Sequence, residues 1–320
     1  DIAERRKPQD GRFTIKIEGR DIDVRVSSVP TIYGENIVLR LLDVSSALLG
    51  LNQLGFSEGV LEKYQRLIVR PHGMILVTGP TGCGKTTTLY ASLDKINTPE
   101  KNIITIEEPV EYKLRGIRQI QVNPKVDLTF ANGLRSILRQ DPNVVMVGEI
   151  RDLVAAEISI QAALTGHLVF STLHTNDAAT AVTRLIDMGV EPFLVSSSVI
   201  GVLAQRLVRA ICQDCKEEYT PTEEELKDIG LSQDRTGIKF YRGKGCANCM
   251  NTGYKGRIGI FELMIPNESI CNLIISKTPT EEIRKKAIAS GMVSLKEDGV
   301  EKIKQGLTSV EEVLRMTQEE

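Results

Sequence analysis

Eight consecutive residues, Gly79-Pro80-Thr81-Gly82-Cys83-Gly84-Lys85-Thr86, constrain this chain more than anything else in it. Glycines at this spacing let backbone N–H groups turn toward one point, and a lysine and a hydroxyl follow at once. The preceding Met74 to Thr78 is a short apolar run, and Thr86 to Ile96 has helical character. A strand, a glycine turn and a helix N-terminus in that order form an anion cradle, because the orphan N–H groups of the first turn all face the loop. Gly79 through Thr87 are therefore the expected nucleotide contacts, with Lys85 on the β- and γ-phosphates, the Thr86 hydroxyl on Mg²⁺ and Thr87 beside it.

The rest of the chain fits a parallel α/β protein. Apolar runs at Ile103 to Ile106, Val144 to Val147 and Leu168 to Ser171 alternate with helical stretches around Phe130 to Arg139 and Ala155 to Leu164. Strands without polar alternation have both faces buried, as crossover helices require. Upstream, Phe13, Ile15 and Ile17, then Ile22, Val24 and Val26, then Ile37, Leu39 and Leu41 take every second position, which predicts a hairpin and a third strand. Two short strands are expected near Arg118 to Val122, and the C-terminus reads as helices. The expected organisation is a β-rich segment over 1–44 belonging to a small α+β domain, a linker over 45–57, and the nucleotide core over 58–209. A cysteine module over 210–256 and a helical region over 257–320 complete it.

At 320 residues, several compact units are expected. A net charge of −2 supplies no basic field, so nucleic acid is not an expected partner. No apolar run reaches the ~20 residues that span a bilayer. The chain opens on Asp1 rather than Met, and an upstream segment carrying a docking contact is expected.

Acidic candidates follow from strand ends. Val144-Val145-Met146-Val147-Gly148-Glu149 closes an apolar strand on one carboxylate, and Glu149 suits a general base that orients water. In Thr105-Ile106-Glu107-Glu108-Pro109, adjacent acids point to opposite faces, so one of the pair faces the site and Glu108 is favoured. His167 and His174 bracket the strand between them as candidate γ-phosphate sensors. Cys83, beside loop amides and a helix N-terminus, is expected to have a lowered pKa and to react with thiol reagents. Cys212-x-x-Cys215 and Cys246-x-x-Cys249 form two knuckles that can present four thiolates to a structural Zn²⁺. Cys271 reads as a small core residue.

Taken together, the glycine loop, Ile106-Glu107-Glu108-Pro109-Val110-Glu111, Leu138-Arg139-Gln140-Asp141-Pro142 with Gly148-Glu149-Ile150-Arg151-Asp152, and Thr165-Gly166-His167 with Ser171-Thr172-Leu173-His174-Thr175-Asn176 resemble the Walker A, Asp box, Walker B and His box of the bacterial secretion ATPase superfamily (GspE/PilB-like). The resemblance extends over essentially the whole chain. Val126 to Phe130 and Met188 to Leu194 are most similar to its type II secretion branch, with the pilus-extension branch close behind.

The resemblance implies a cytoplasmic homohexamer at the inner face of the bacterial inner membrane, docked on platform proteins. It implies ATP held between an N-terminal PAS-like domain and a RecA-like domain, hydrolysed to drive pseudopilus assembly and protein export. It also places Arg25, Arg40, Arg135 and Arg139 on the γ-phosphate. The family commonly carries Asp where Glu108 stands. Two other classes remain to be weighed, a RecA-like nucleic-acid translocase and a nucleotide-binding regulator without turnover.

Overall fold

The computed structural model describes residues 1–17, 19–43, 49–231 and 238–317 and divides into two compact units, 1–48 and 49–320. Each is considered by itself. In the first, β1 (Gln9–Ile17), β2 (Arg20–Thr31) and β3 (Gly34–Asp43) form an antiparallel sheet in the order β1-β2-β3. The turn expected at Gly19 is there, with Ile17 opposite Arg20. The helical part of the expected α+β domain is not found among the described residues of this unit.

The second unit is built on a seven-stranded sheet. Its elements, in chain order, are α1 (Glu58–Ile68), β4 (Gly73–Thr78), α2 (Lys85–Ile96), β5 (Ile103–Glu107), β6 (Arg118–Gln121), α3 (Phe130–Ile137), β7 (Val144–Val147), α4 (Leu153–Leu164), β8 (Leu168–Leu173), α5 (Ala178–Asp187), α6 (Pro192–Ser198) and β9 (Val199–Ile211). Then come β10 (Lys216–Tyr219), α7 (Glu223–Asp228), β11 (Phe240–Gly243), β12 (Tyr254–Met264), α8 (Glu268–Ile275), α9 (Thr280–Ala289), α10 (Leu295–Lys304) and α11 (Val310–Thr317).

The sheet order is β12-β9-β4-β8-β7-β5-β6, parallel except for β12, which runs against β9. Near Arg118 one strand forms rather than two, and it takes the free edge beside β5. The expected boundaries at 209/210 and 256/257 fall inside β9 and β12, so the cysteine segment is a loop excursion between two paired strands. Of the expected linker, 45–48 lie outside the described residues. Its remainder packs down, with the Gly259 N–H donating to the Leu54 carbonyl and Phe56 stacked on Phe261 at 3.8 Å between ring centres.

All six residues of β4 are buried. Ile75 and Val77 join the core beneath α1 and α2, while Met74 and Leu76 join the core beneath α4, α5 and the C-terminal helices. This period-two division is why the strand reads as an unbroken apolar run. A polar cluster interrupts the core beneath α1 and α2. The hydroxyl of Tyr90, on α2, donates a short hydrogen bond to Glu107 Oε2, and Thr105 Oγ1 and Gln119 Nε2 donate to Oε1 at 2.6 and 3.1 Å. Tyr90 and Glu107 are buried, so the carboxylate is satisfied from three elements and ties α2 to the end of β5.

Removing the Tyr90 hydroxyl leaves Glu107 Oε2 buried with no donor, a cost of about 1–3 kcal/mol. Tyr90→Phe is expected to lower the unfolding free energy by that amount, read as a lower urea midpoint at unchanged slope, and Tyr90→Phe with Glu107→Leu should recover part of it.

Candidate functional site

The parallel strands bring their carboxyl ends to one edge of the sheet, and the glycine loop leaves that edge from the centre, after β4. Gly79, Gly82 and Gly84 have φ of 147°, 81° and 92°, values that disfavour a side chain. A Cβ on Gly79 would lie 2.5 Å from the Gln205 carbonyl oxygen and 2.6 Å from Cys83 Sγ, whereas Gly82 faces open space. Lys85 begins α2 and folds back over the loop, its Nζ donating to the carbonyls of Gly79 at 2.7 Å and Pro80 at 3.1 Å. Burial lowers its pKa, countered by the fields of Cys83 and Glu149. Thr81 and Gly82 are exposed and Thr86 and Thr87 half-buried, so an open cradle with one ammonium inside it stands at the sheet edge.

Cys83 departs from expectation. It is 3% exposed, and burial raises its pKa despite Lys85 and Arg206 nearby. Desolvation of the thiolate outweighs the loop's positive charge.

Glu149 follows β7, two strands from the loop. Arg151 forms a short ion pair with Glu149 Oε1 and a second pair with Glu108 Oε2 at 2.9 Å, so one guanidinium joins the ends of β7 and β5. His174 Nε2 lies 3.5 Å from Glu149 Oε2. Between the adjacent acids the structure separates roles: Glu107 is the buried one, and Glu108 is the exposed one turned to Arg151. At Gly148 a Cβ would sit 3.3 Å from both Glu107 Cα and the Ile106 carbonyl oxygen. Backbone from β5 fills the place where a second acid would stand.

The two histidines part company. His174 lies past β8 at the loop edge, whereas His167 precedes β8, and its carbonyl accepts from the Gly73 N–H at the opposite edge. The length of the strand, roughly 20 Å, lies between them. Within this chain His167 is not brought to the glycine loop. Its Nδ1 instead sits 2.9 Å from the Ala162 carbonyl oxygen at the end of α4.

Arg135 and Arg139 are exposed, held by Asn132 Oδ1 at 3.2 Å and Ser136 Oγ at 3.3 Å. Arg139 lies beyond the end of α3. In the other unit, Arg25 and Arg40 are directly opposite each other on β2 and β3.

The four cysteine sulfurs lie within 4.8 Å of one another and can hold a metal ion. Three separations are 3.9, 3.8 and 3.7 Å, for Cys212–Cys246, Cys215–Cys249 and Cys246–Cys249. A tetrahedron with metal–sulfur bonds of ~2.3 Å has edges of ~3.8 Å, whereas a disulfide would need ~2.05 Å. Burial pushes Cys215 up to about 12. Burial acts on Cys249 in the same sense, but N–H groups of Cys246 and Gly253, donating at 3.2 and 3.3 Å, bring it down to about 6. Backbone donors that stabilise thiolate are what a metal knuckle needs. The knuckles close because Gly243 and Gly253 touch: a Cβ on Gly243 would come within 1.9 Å of the Gly253 carbonyl oxygen.

The sequence matches the family model described as "Type II/IV secretion system protein" over residues 1–315. The chain belongs to the type II/IV secretion system protein family. It is 55% identical over 319 residues to the type II secretion system ATPase E of Vibrio cholerae, covering 100% of this chain and 63% of that protein. It is 51% identical over 317 residues to the type IV pilus assembly ATPase PilB of Thermus thermophilus, covering 99% of this chain and 36% of that protein. The chain thus spans less than two thirds of the length of these curated relatives. Among solved structures it resembles the pilus retraction motor PilT with bound ADP, at TM-score 0.71 and 28% identity, covering 98% of this chain and 78% of that one. The ATPase DotB of Legionella pneumophila, at TM-score 0.70, 21% identity and coverage of 97% and 77%, shares the fold.

In this member of the secretion family, several contacts at the sheet edge carry no sequence signature of their own. Arg151 sits inside the quoted Walker B-like segment, but its two carboxylate partners come from different strands. Thr78 Oγ1 lies 2.7 Å from Thr175 Oγ1 and accepts from the Thr175 N–H at 3.0 Å, fixing the segment after His174 against the base of the glycine loop. No spacing rule joins residues that are 97 positions apart.

The cysteine cluster makes a direct test possible. The native chain is expected to retain an equimolar divalent metal through gel filtration, measured by elemental analysis. Cys249→Ser should abolish it and broaden thermal unfolding of the 212–254 segment.

Proposed function

We propose that this chain hydrolyses ATP as the motor part of a type II secretion machine, driving pseudopilus assembly and protein export. The observation that carries the reading is the juxtaposition of the glycine loop and Lys85 with Glu149 at one sheet edge, where Glu149 lies close enough to act on the lysine's charge. Relatives named secretion and pilus ATPases, and a neighbouring fold solved with ADP, support it. On this reading residues 58–209 of the second unit are a RecA-like core.

The roles follow from the geometry. Phosphate oxygens would draw Lys85 Nζ from the Gly79 and Pro80 carbonyls, while the exposed loop amides and the α2 N-terminus receive the remaining charge. Thr86 would hold Mg²⁺, which offsets the charge of the phosphates. Glu149 orients the attacking water, its Oε1 kept in place by Arg151 and its Oε2 near His174. Glu108 supports the same water or the metal, and it shares Arg151 with Glu149.

Arg25 and Arg40, as a facing pair of cations, and Arg135 and Arg139 meet the γ-phosphoryl charge when subunits of a homohexamer close on the nucleotide. The four cysteines take Zn²⁺ as a structural metal, since four thiolates leave no open position. No helix among the described residues is long and apolar enough to cross a membrane. The proposed partners are platform and docking proteins at the inner face of the inner membrane. Nucleic acid is not a proposed partner.

Type IV pilus extension is the second reading, favoured by the 51% identity to a pilus assembly ATPase. Complementation of strains lacking either motor separates the two.

Glu149→Gln keeps the hydrogen-bonding shape and loses the base. Turnover of Mg-ATP is expected to fall by about 10²-fold or more while nucleotide affinity changes little. Steady-state phosphate release and equilibrium binding of a fluorescent nucleotide check both halves, and native turnover in the variant removes Glu149 from this role.

A further inference from the structure

The underside of the glycine loop rests on one buried side chain from a different strand. Gln205, on β9, is 2% exposed. Its Nε2 donates to the Cys83 carbonyl at 2.7 Å, and its Oε1 accepts from Thr88 Oγ1 at 2.8 Å. The same amide therefore holds the last bend of the loop and the first turn of α2. A Cβ on Gly84 would lie 3.1 Å from that Nε2, and a Cβ on Gly79 would lie 2.5 Å from the Gln205 backbone oxygen, so the loop is seated on Gln205 at both ends. The contact to Cys83 spans 122 positions, and the buried amide has its nitrogen and its oxygen both engaged.

The consequence concerns the direction of the loop's N–H groups. At Gly84 the backbone is left-handed, with φ of 92°, and this conformation turns successive amides toward one point. The Cys83 carbonyl is the other side of the Cys83–Gly84 peptide plane. Fixing that oxygen downward on Gln205 Nε2 fixes the Gly84 N–H upward, because the peptide unit is planar. Arg206, the next residue, reaches in the other direction: its Nη2 donates to the Asn176 carbonyl at 2.7 Å, beyond β8. Residues 205 and 206 thus join the glycine loop and the loop after His174 from a third strand.

We propose that Gln205 is a positioning residue for phosphate binding, which sets the Cys83–Gly84 peptide in the orientation that presents its N–H to a phosphate. The proposal rests on the nucleotide reading of the loop, but its first test does not need a nucleotide. Gln205→Glu keeps the acceptor for Thr88 and removes the donor to Cys83. Thr88→Val removes the other arm, and Thr88→Ser restores it.

Amide exchange of residues 80–88, measured by mass spectrometry on the nucleotide-free protein, is expected to accelerate about tenfold in Gln205→Glu and Thr88→Val. It should return to the native rate in Thr88→Ser, with exchange in β5 and β7 unchanged. A protonated glutamate regains a donor, so the Gln205→Glu defect should shrink toward about pH 6 and grow toward about pH 9. With Mg-ADP as the probe, affinity should weaken about tenfold in parallel.

Native exchange at residues 80–88 in Gln205→Glu across that pH range overturns the proposal. Faster exchange spread evenly over the sheet also overturns it, by assigning Gln205 a general structural role. A native protein that fails to bind Mg-ADP, with the exchange pattern as expected, would sink the nucleotide reading and leave the positioning role standing.

Discussion

Every part of the candidate site depends on β4 being paired in parallel on both sides, with β8 and with β9. Parallel pairing with helices on both faces buries the strand completely and points the carboxyl ends of its neighbours the same way. One edge of the sheet then collects the glycine loop from β4, His174 from β8 and Glu149 from β7. The end of β5 adds Glu108, and β9, which runs on past the end of β4, adds Gln205. Nothing at that edge needs to be large, because each strand supplies one or two groups and the hydrogen-bond ladder sets their spacing.

Carboxylates at the edge are managed in two different ways. Glu107 is sunk among Tyr90, Thr105 and Gln119, which makes it part of the core and a brace for α2. Glu108 and Glu149 stay near solvent and share Arg151. A shared arginine keeps two acids close without the repulsion that would otherwise part them, and it leaves both able to exchange partners. The C-terminal region uses the buried alternative again. Glu312 on α11 is held by Arg209 and Arg315, which keep its carboxyl down at about 2 and fasten the last helix to β9. Strand β9 is thereby gripped at Arg209, four residues from Gln205, and enters the cysteine knuckle at Cys212.

Sequence patterning was legible wherever one local rule sufficed. The glycine loop, each apolar strand and each Cys-x-x-Cys pair are written within a dozen residues, and the N-terminal sheet repeats one two-residue alternation along its three strands. The single strand at Arg118 was harder, since a four-residue edge strand with two exposed ends carries almost no apolar pattern. At position 257 the helices that follow dominate the sequence pattern, yet β12 must pair with β9 before they begin. At Cys83 local sequence and burial oppose each other. Its neighbours in sequence argue for a lowered pKa, but Gly79, Gln205 and Arg206 enclose it, and burial decides.

Residue order alone determined that a strand, a turn and a helix would build an anion cradle, that four thiols could meet around a metal, and that a lone acid would close β7. Those are short-range facts, fixed by backbone conformations and spacings that chain neighbours impose. Tertiary structure alone decided that Glu107 is buried among Tyr90, Thr105 and Gln119, and that Arg151 and Gln205 hold the edge together. These outcomes depend on which strands lie side by side and which face of each is covered. That order is set by packing a whole sheet between two layers of helices, and no window of sequence contains it.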